Sequence, residues 1–128
     1  MNEEVHTKLE LEYTIKSSPK ILYFFLNAPN GLSEWFCDNI NVKDDIYTFC
    51  WDDEQRSAEL ISKKVNNYTQ FRWLDLPQDT FFEFKLEVDD ITKDVALIVT
   101  DFEPANEHEN SKLLWDSQVT KLIQLVGG

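Results

Sequence analysis

Hydrophobic and polar positions alternate with a period of two along most of this chain. A helical period takes over only near the start and at the end. Residues 8–16, KLELEYTIK, set Leu9, Leu11, Tyr13 and Ile15 against Glu10, Glu12, Thr14 and Lys16, as a strand with one buried face requires. The period then changes. Ser18 suits an N-cap, Pro19 the first helical position, and Ile21, Leu22, Phe25 and Leu26 share one helix face. Ala28-Pro29-Asn30-Gly31 breaks that helix, and a second short one is predicted from Leu32 to Cys37.

A series of strands follows, opened by a short one at Ile40–Val42. Ile46–Trp51 places Tyr47, Phe49 and Trp51 on one face, and Arg56–Lys64 is more polar, with Ala58 and Leu60 inward. Tyr68–Leu74 sets Phe71 and Trp73 opposite Gln70 and Arg72, and Thr80–Val88 turns Phe82, Phe84, Leu86 and Val88 to one side. Asp94–Phe102 is apolar on both faces, which predicts a central strand. The connections Asp52–Gln55, Val65–Asn67, Leu76–Asp79 and Asp89–Lys93 are short and polar, as hairpin loops are.

The last element is an amphipathic helix after the acidic loop Glu103–Asn110. Ser111 is its expected N-cap, Trp115, Val119, Leu122, Ile123 and Val126 form its apolar stripe, and Gly127 is the stop. This order predicts an α+β fold. A curved antiparallel sheet of about six or seven strands wraps a long C-terminal helix, with two short helices after the first strand.

Composition narrows the function classes. At 128 residues the chain is read as one domain, 1–128, long enough to bury about two-thirds of its unfolded surface. A 42% hydrophobic content, with nine Phe, four Trp and four Tyr, excludes a disordered chain. A net charge of −12 argues against nucleic acid and against an anionic membrane surface, both of which would repel it. MNEEVHTK has neither the basic nor the apolar part of a signal peptide, and no window is apolar enough to span a membrane; a cytoplasmic location is expected.

Chemistry-bearing residues are sparse. His6 and His108 have no partner at metal-ligand or base–nucleophile spacing and are expected to be solvent-exposed. With three Gly in all, the chain has no phosphate-cradling loop, and no serine sits in a glycine elbow. Asp52-Asp53 lacks the alternating ligands and glycine of a calcium loop. No catalytic residue, metal or cofactor is therefore assigned. Arg72 is expected outside the aromatic face, exposed or paired with a cross-strand acid. Cys37 and Cys50 are expected to be free, unreactive thiols that pack as small hydrophobes and do not face each other. What remains is aromatic: Trp35, Phe49, Trp51, Phe71, Trp73, Phe82 and Phe84, joined by Trp115, Val119 and Ile123 from the last helix. These form either a packed core or the lining of an apolar cavity between sheet and helix.

Local sequence adds a resemblance. YTIKSSPKILYFFLNAPNGLSEWF looks like the opening of the START-like, pollen-allergen-like (SRPBCC) superfamily, in which a strand runs into a helix pair ending in a Trp. TFCWDDEQRSAELI, QFRWLD and KLLWDSQVTKLIQLVG are similar to a small bacterial branch related to the activator of the heat-shock-chaperone ATPase. The resemblance runs from about Leu9 to Val126 and implies the helix-grip fold. Trp35 and Phe36 match the Trp of the helix pair, and Trp115–Val126 the lid helix. The polar catalytic residues of cyclase members have no counterparts here. The expected function is non-enzymatic binding of a small hydrophobic or amphipathic ligand, such as a lipid. The rivals are a co-chaperone-like module docking on a protein through acidic loops, and an enzyme of cyclase or hydrolase type.

Overall fold

The computed structural model describes residues 5–127, so Met1–Glu4 at the head of MNEEVHTK, and Gly128, lie outside it. Its elements are β1 (His6–Ile15), α1 (Pro19–Asn27), α2 (Pro29–Leu32), β2 (Asn39–Lys43), β3 (Ile46–Trp51), β4 (Glu54–Lys64), β5 (Tyr68–Trp73), β6 (Phe82–Val88), β7 (Val95–Pro104) and α3 (His108–Val126). The strands make one antiparallel sheet of seven, in the order β1-β7-β6-β5-β4-β3-β2. From β2 to β7 each strand pairs with the next in sequence, as short connections, the longest being 74–81, favour. β1 closes the other edge on β7, Ile15 opposite Val95 and His6 opposite Pro104. The strand expected to be central, β7, is paired on both sides but stands next to the edge. The curved sheet grips α3 as the element order required.

Register puts the aromatics on the concave face. Phe71 stands opposite Phe82, and their rings stack at 5.0 Å and 16°. Phe49, Phe71, Phe82 and Phe84 are fully buried, and Phe36 enters from the loop after α2, stacked 5.7 Å from Trp115 of α3. A bulge between Leu60 and Ser62 flips the parity of β4. Ahead of it Ala58 is buried and Leu60 half-buried on the inner face. Behind it the Ser62 hydroxyl meets the Tyr68 hydroxyl at 2.8 Å.

The helices differ from expectation in their ends and faces. Ser18 caps α1 by accepting from the Ile21 N–H at 3.2 Å. The buried face of α1 is Leu22, Tyr23 and Leu26; Ile21 is 53% exposed, because the helix lies flat on β5, where the Thr69 hydroxyl donates to the Leu26 carbonyl at 3.0 Å. Pro29 starts the second helix rather than only ending the first, so α2 is Pro29–Leu32, and 33–36 form a turn. α3 begins three residues before Ser111. His108 fixes that start: its Nε2 lies 3.0 Å from the Glu103 carbonyl and 3.2 Å from the Thr7 carbonyl. His108 is accordingly half-buried rather than solvent-exposed, and so is His6, at the head of β1. Gly127 ends α3 in the left-handed conformation, φ 78°, as a C-terminal glycine does.

Candidate functional site

The open end of the grip holds a cavity of about 540 Å³. Four segments converge there: the turn 33–38, the β3–β4 hairpin with Trp73 beside it, the end of β7, and one face of α3. All four tryptophans of the chain line it. Trp35, Trp73 and Trp115 are buried and Trp51 is half-buried, so they form the floor, while Glu34, Asp38, Asp53 and Glu54 are exposed at the rim.

Three of these indoles are locked by their N–H groups. Trp35 Nε1 donates to the Phe25 carbonyl at 2.8 Å, which ties the turn after α2 to the end of α1. Trp51 Nε1 donates to the Phe36 carbonyl at 2.9 Å, and Gln118 of α3 donates to the same oxygen at 3.0 Å. Trp115 Nε1 donates to Asp101 Oδ2 at 3.0 Å. Such bonds hold a ring in one orientation and leave its faces and edge for contact.

The expected cavity residues therefore divide. Trp35, Trp51, Trp73 and Trp115 line the cavity. Phe49, Phe71, Phe82, Phe84 and Val119 are fully buried in the core beneath it, and Ile123 packs against that core from α3. Phenylalanines at the sheet centre are covered by Phe36 and α3, whereas Trp51 and Trp73 stand at the ends of β3 and β5, facing Trp35 of the turn and Trp115 of α3 across the cavity.

Two polar residues of the site escaped the sequence reading. Asp101, within the strand expected over Asp94–Phe102 but assigned no role there, shares the inner-face parity of Val95, Leu97 and Val99 on β7 and is only 8% exposed. Its Oδ1 accepts from the Phe102 N–H at 2.8 Å. Burial, only partly offset by the Trp115 and Phe102 bonds, pushes its carboxyl up to about 6. Arg56, two residues before inward Ala58, has the same inner parity on β4. Its guanidinium lies 4.0 Å over the Trp73 ring and pairs with Asp75 through two bonds of 2.8 and 3.2 Å. Parity carried the signal in both cases, masked by the polar residue type. Arg72, as expected, faces away and pairs with cross-strand Glu59 at 2.7 Å.

Cys37 lines the cavity floor and is buried, Cys50 is half-buried, and both are free. They are nearer than parity suggested, since the Asp38 N–H donates to the Cys50 carbonyl at 2.9 Å. Burial, then the nearby Cys50 and Asp38, pushes the Cys37 thiol up to about 12. Among the described residues no group of three or more His, Cys, Asp or Glu could hold a metal ion. No helix among them is long and apolar enough to cross a membrane. A second depression, between β1 and the β6–β7 hairpin, is lined mainly by exposed polar side chains and has no aromatic wall.

A seven-stranded antiparallel sheet closed over a C-terminal helix, with a cavity at the open end, defines a helix-grip domain. The chain belongs to the START-like superfamily, whose domain description it matches over residues 1–128. It is similar to a Bacteroides fragilis protein of known solution structure, 36% identical with a TM-score of 0.66, over 94% of this chain and 91% of that one. The Aha1 dimer of Colwellia psychrerythraea shares the fold at 16% identity and a TM-score of 0.79, covering 94% of this chain and 96% of that one. So does DynU16, encoded in the dynemicin biosynthetic locus, at 15% identity and a TM-score of 0.77, covering 91% of this chain and 46% of that one. No functionally curated protein is significantly similar to this chain.

Proposed function

We propose that this START-like domain is a non-enzymatic binding protein that holds a small amphipathic molecule in the cavity between sheet and α3. The observation that carries the reading is the cavity itself: about 540 Å³, floored by indoles whose N–H groups are mostly committed elsewhere. That volume suits a ligand of a few tens of heavy atoms at most. The wall contains no histidine, and its one thiol is held protonated, so it supports binding rather than nucleophilic chemistry. Titration of an uncharged fluorescent naphthalene probe, followed by tryptophan emission, tests the proposal. Saturable binding that weakens at least about tenfold in Trp115→Ala is expected. Non-saturating partition, equal in both proteins, would refute it.

Docking of a protein partner through acidic loops is the second reading, favoured by the exposed run Asp52, Asp53 and Glu54 on the β3–β4 turn. It ranks lower because Asp53, Glu54, Asp101 and Glu103, four of the acids it would use, line the cavity. A pull-down that weakens between low and moderate salt would favour it.

A further inference from the structure

The cavity is rich in acceptors and poor in free donors. Asp101 is a carboxylate more than nine-tenths buried at its floor, yet no cation of the described residues stands within 4 Å of it. Its only side-chain partner is a neutral indole N–H. Arg56, paired with Asp75, acts on Asp101 only from beyond that distance; a buried charge without a counter-charge in contact is costly, and such groups are ordinarily paired. Exposed Glu34, Asp38, Asp53 and Glu54 leave their oxygens unengaged toward the same space, with no hydrogen bond to other described residues through their side chains.

Most of the donors, by contrast, are already used; among the described residues the Trp73 indole N–H and the Ser117 hydroxyl of the wall are not. The Trp35, Trp51 and Trp115 N–H groups are taken, Arg56 is bidentate with Asp75, and the Ser111 hydroxyl donates to Glu103 at 3.2 Å. Lys121, on the exposed side of α3, is the one cation of the wall without an ion-pair partner among the described residues. An anionic head group would thus meet several carboxylates and few free donors. A cationic one would find those same carboxylates as acceptors and counter-charges. The wall also shows that it accepts a cation on an aromatic face, since Arg56 lies 4.0 Å over Trp73.

We infer that the cavity selects an organic cation, an amine or quaternary ammonium on an apolar body, with Asp101 as its counter-charge and the indoles as its walls. The inference rests on the proposed binding role and names the ligand class. Burying the charge beside Asp101 supplies the missing pair, and the apolar body replaces water against the indole floor.

Three naphthalene compounds of one size test it: a trimethylammonium, an uncharged methyl ether and a sulfonate, each titrated calorimetrically against the native protein at neutral pH. The ammonium compound is expected to bind at least about tenfold tighter than the ether, and the sulfonate weakest. In Asp101→Asn the ratio of ammonium to ether affinity should fall at least about fivefold. In Asp90→Asn, which removes the same charge from an exposed site, the ratio should hold. Sulfonate or ether binding as tightly as the ammonium overturns the charge assignment and leaves the binding role standing. An unchanged ratio in Asp101→Asn overturns the role of Asp101. Binding of none of the three overturns the binding role itself.

Discussion

Asp101→Asn should remove a pH dependence from the stability of this protein. The Asp101 carboxyl titrates at about 6 in the folded chain against 3.8 ordinarily, with burial as the main cause. The folded state therefore holds this proton more tightly than the unfolded one. Stability rises with pH only where the unfolded state binds more protons, so the contribution here has the opposite sign. It is fully present below 3.8 and is lost as pH rises through about 6. At about 1.36 kcal/mol per tenfold change in proton affinity, the loss comes to about 2–3 kcal/mol between roughly pH 4 and pH 8. Asparagine carries no such charge. It does turn an amide NH₂ toward either the Trp115 indole or the Phe102 N–H, leaving one donor without an acceptor, which costs about 1–3 kcal/mol at every pH. Absolute stabilities near neutrality are accordingly close, and the slope is the informative quantity. Urea unfolding of both proteins at several pH values, followed by tryptophan emission, measures it. The stability of the variant minus that of the native protein should grow by about 2–3 kcal/mol from pH 4 to pH 8. Parallel profiles, or a difference that shrinks, would refute the reasoning.

Gly31→Ala should destabilise by at least about 2 kcal/mol in the same assay, because the new Cβ would stand 2.3 Å from the Phe24 carbonyl oxygen and push the Trp35 turn outward. Phe82→Ala, emptying a fully buried site between Phe71 and Trp73, should cost about 3–5 kcal/mol, and a loss under about 1 kcal/mol would mean the core is not packed as described. Arg72→Ala should cost less than about 1 kcal/mol, since its pair with Glu59 is partly exposed and screened by solvent. In a thiol titration, Cys50, half-buried where a packed and unreactive thiol was expected, should react in the native protein and Cys37 only after denaturation; two thiols silent until reductant is added would mean a disulfide.

The order of the elements and the inward face of most strands were legible in the sequence; the inward face of α1, where Ile21 is exposed, was not. Period-two alternation from Ile46 to Val88 sufficed for three of the aromatic strands, since a one-residue slip would have exposed Phe49, Phe71 and Phe82 together. Ser18, Pro19 and Gly127 marked helix ends because caps are local chemistry, readable without neighbours. The start of α3 was not local. It depends on His108 reaching the carbonyls of Thr7 and Glu103, a contact between residues 101 positions apart in the first case. The division of the aromatic set into core and cavity wall was likewise decided only in three dimensions. Phe82 and Trp73 obey the same alternation, and what separates them is how far α3 and Phe36 extend over the sheet. Asp101 shows the two levels in one residue. Its parity pointed inward along the sequence, but only the packing of Trp115 beside it and the empty space beyond made it the buried carboxylate of a site.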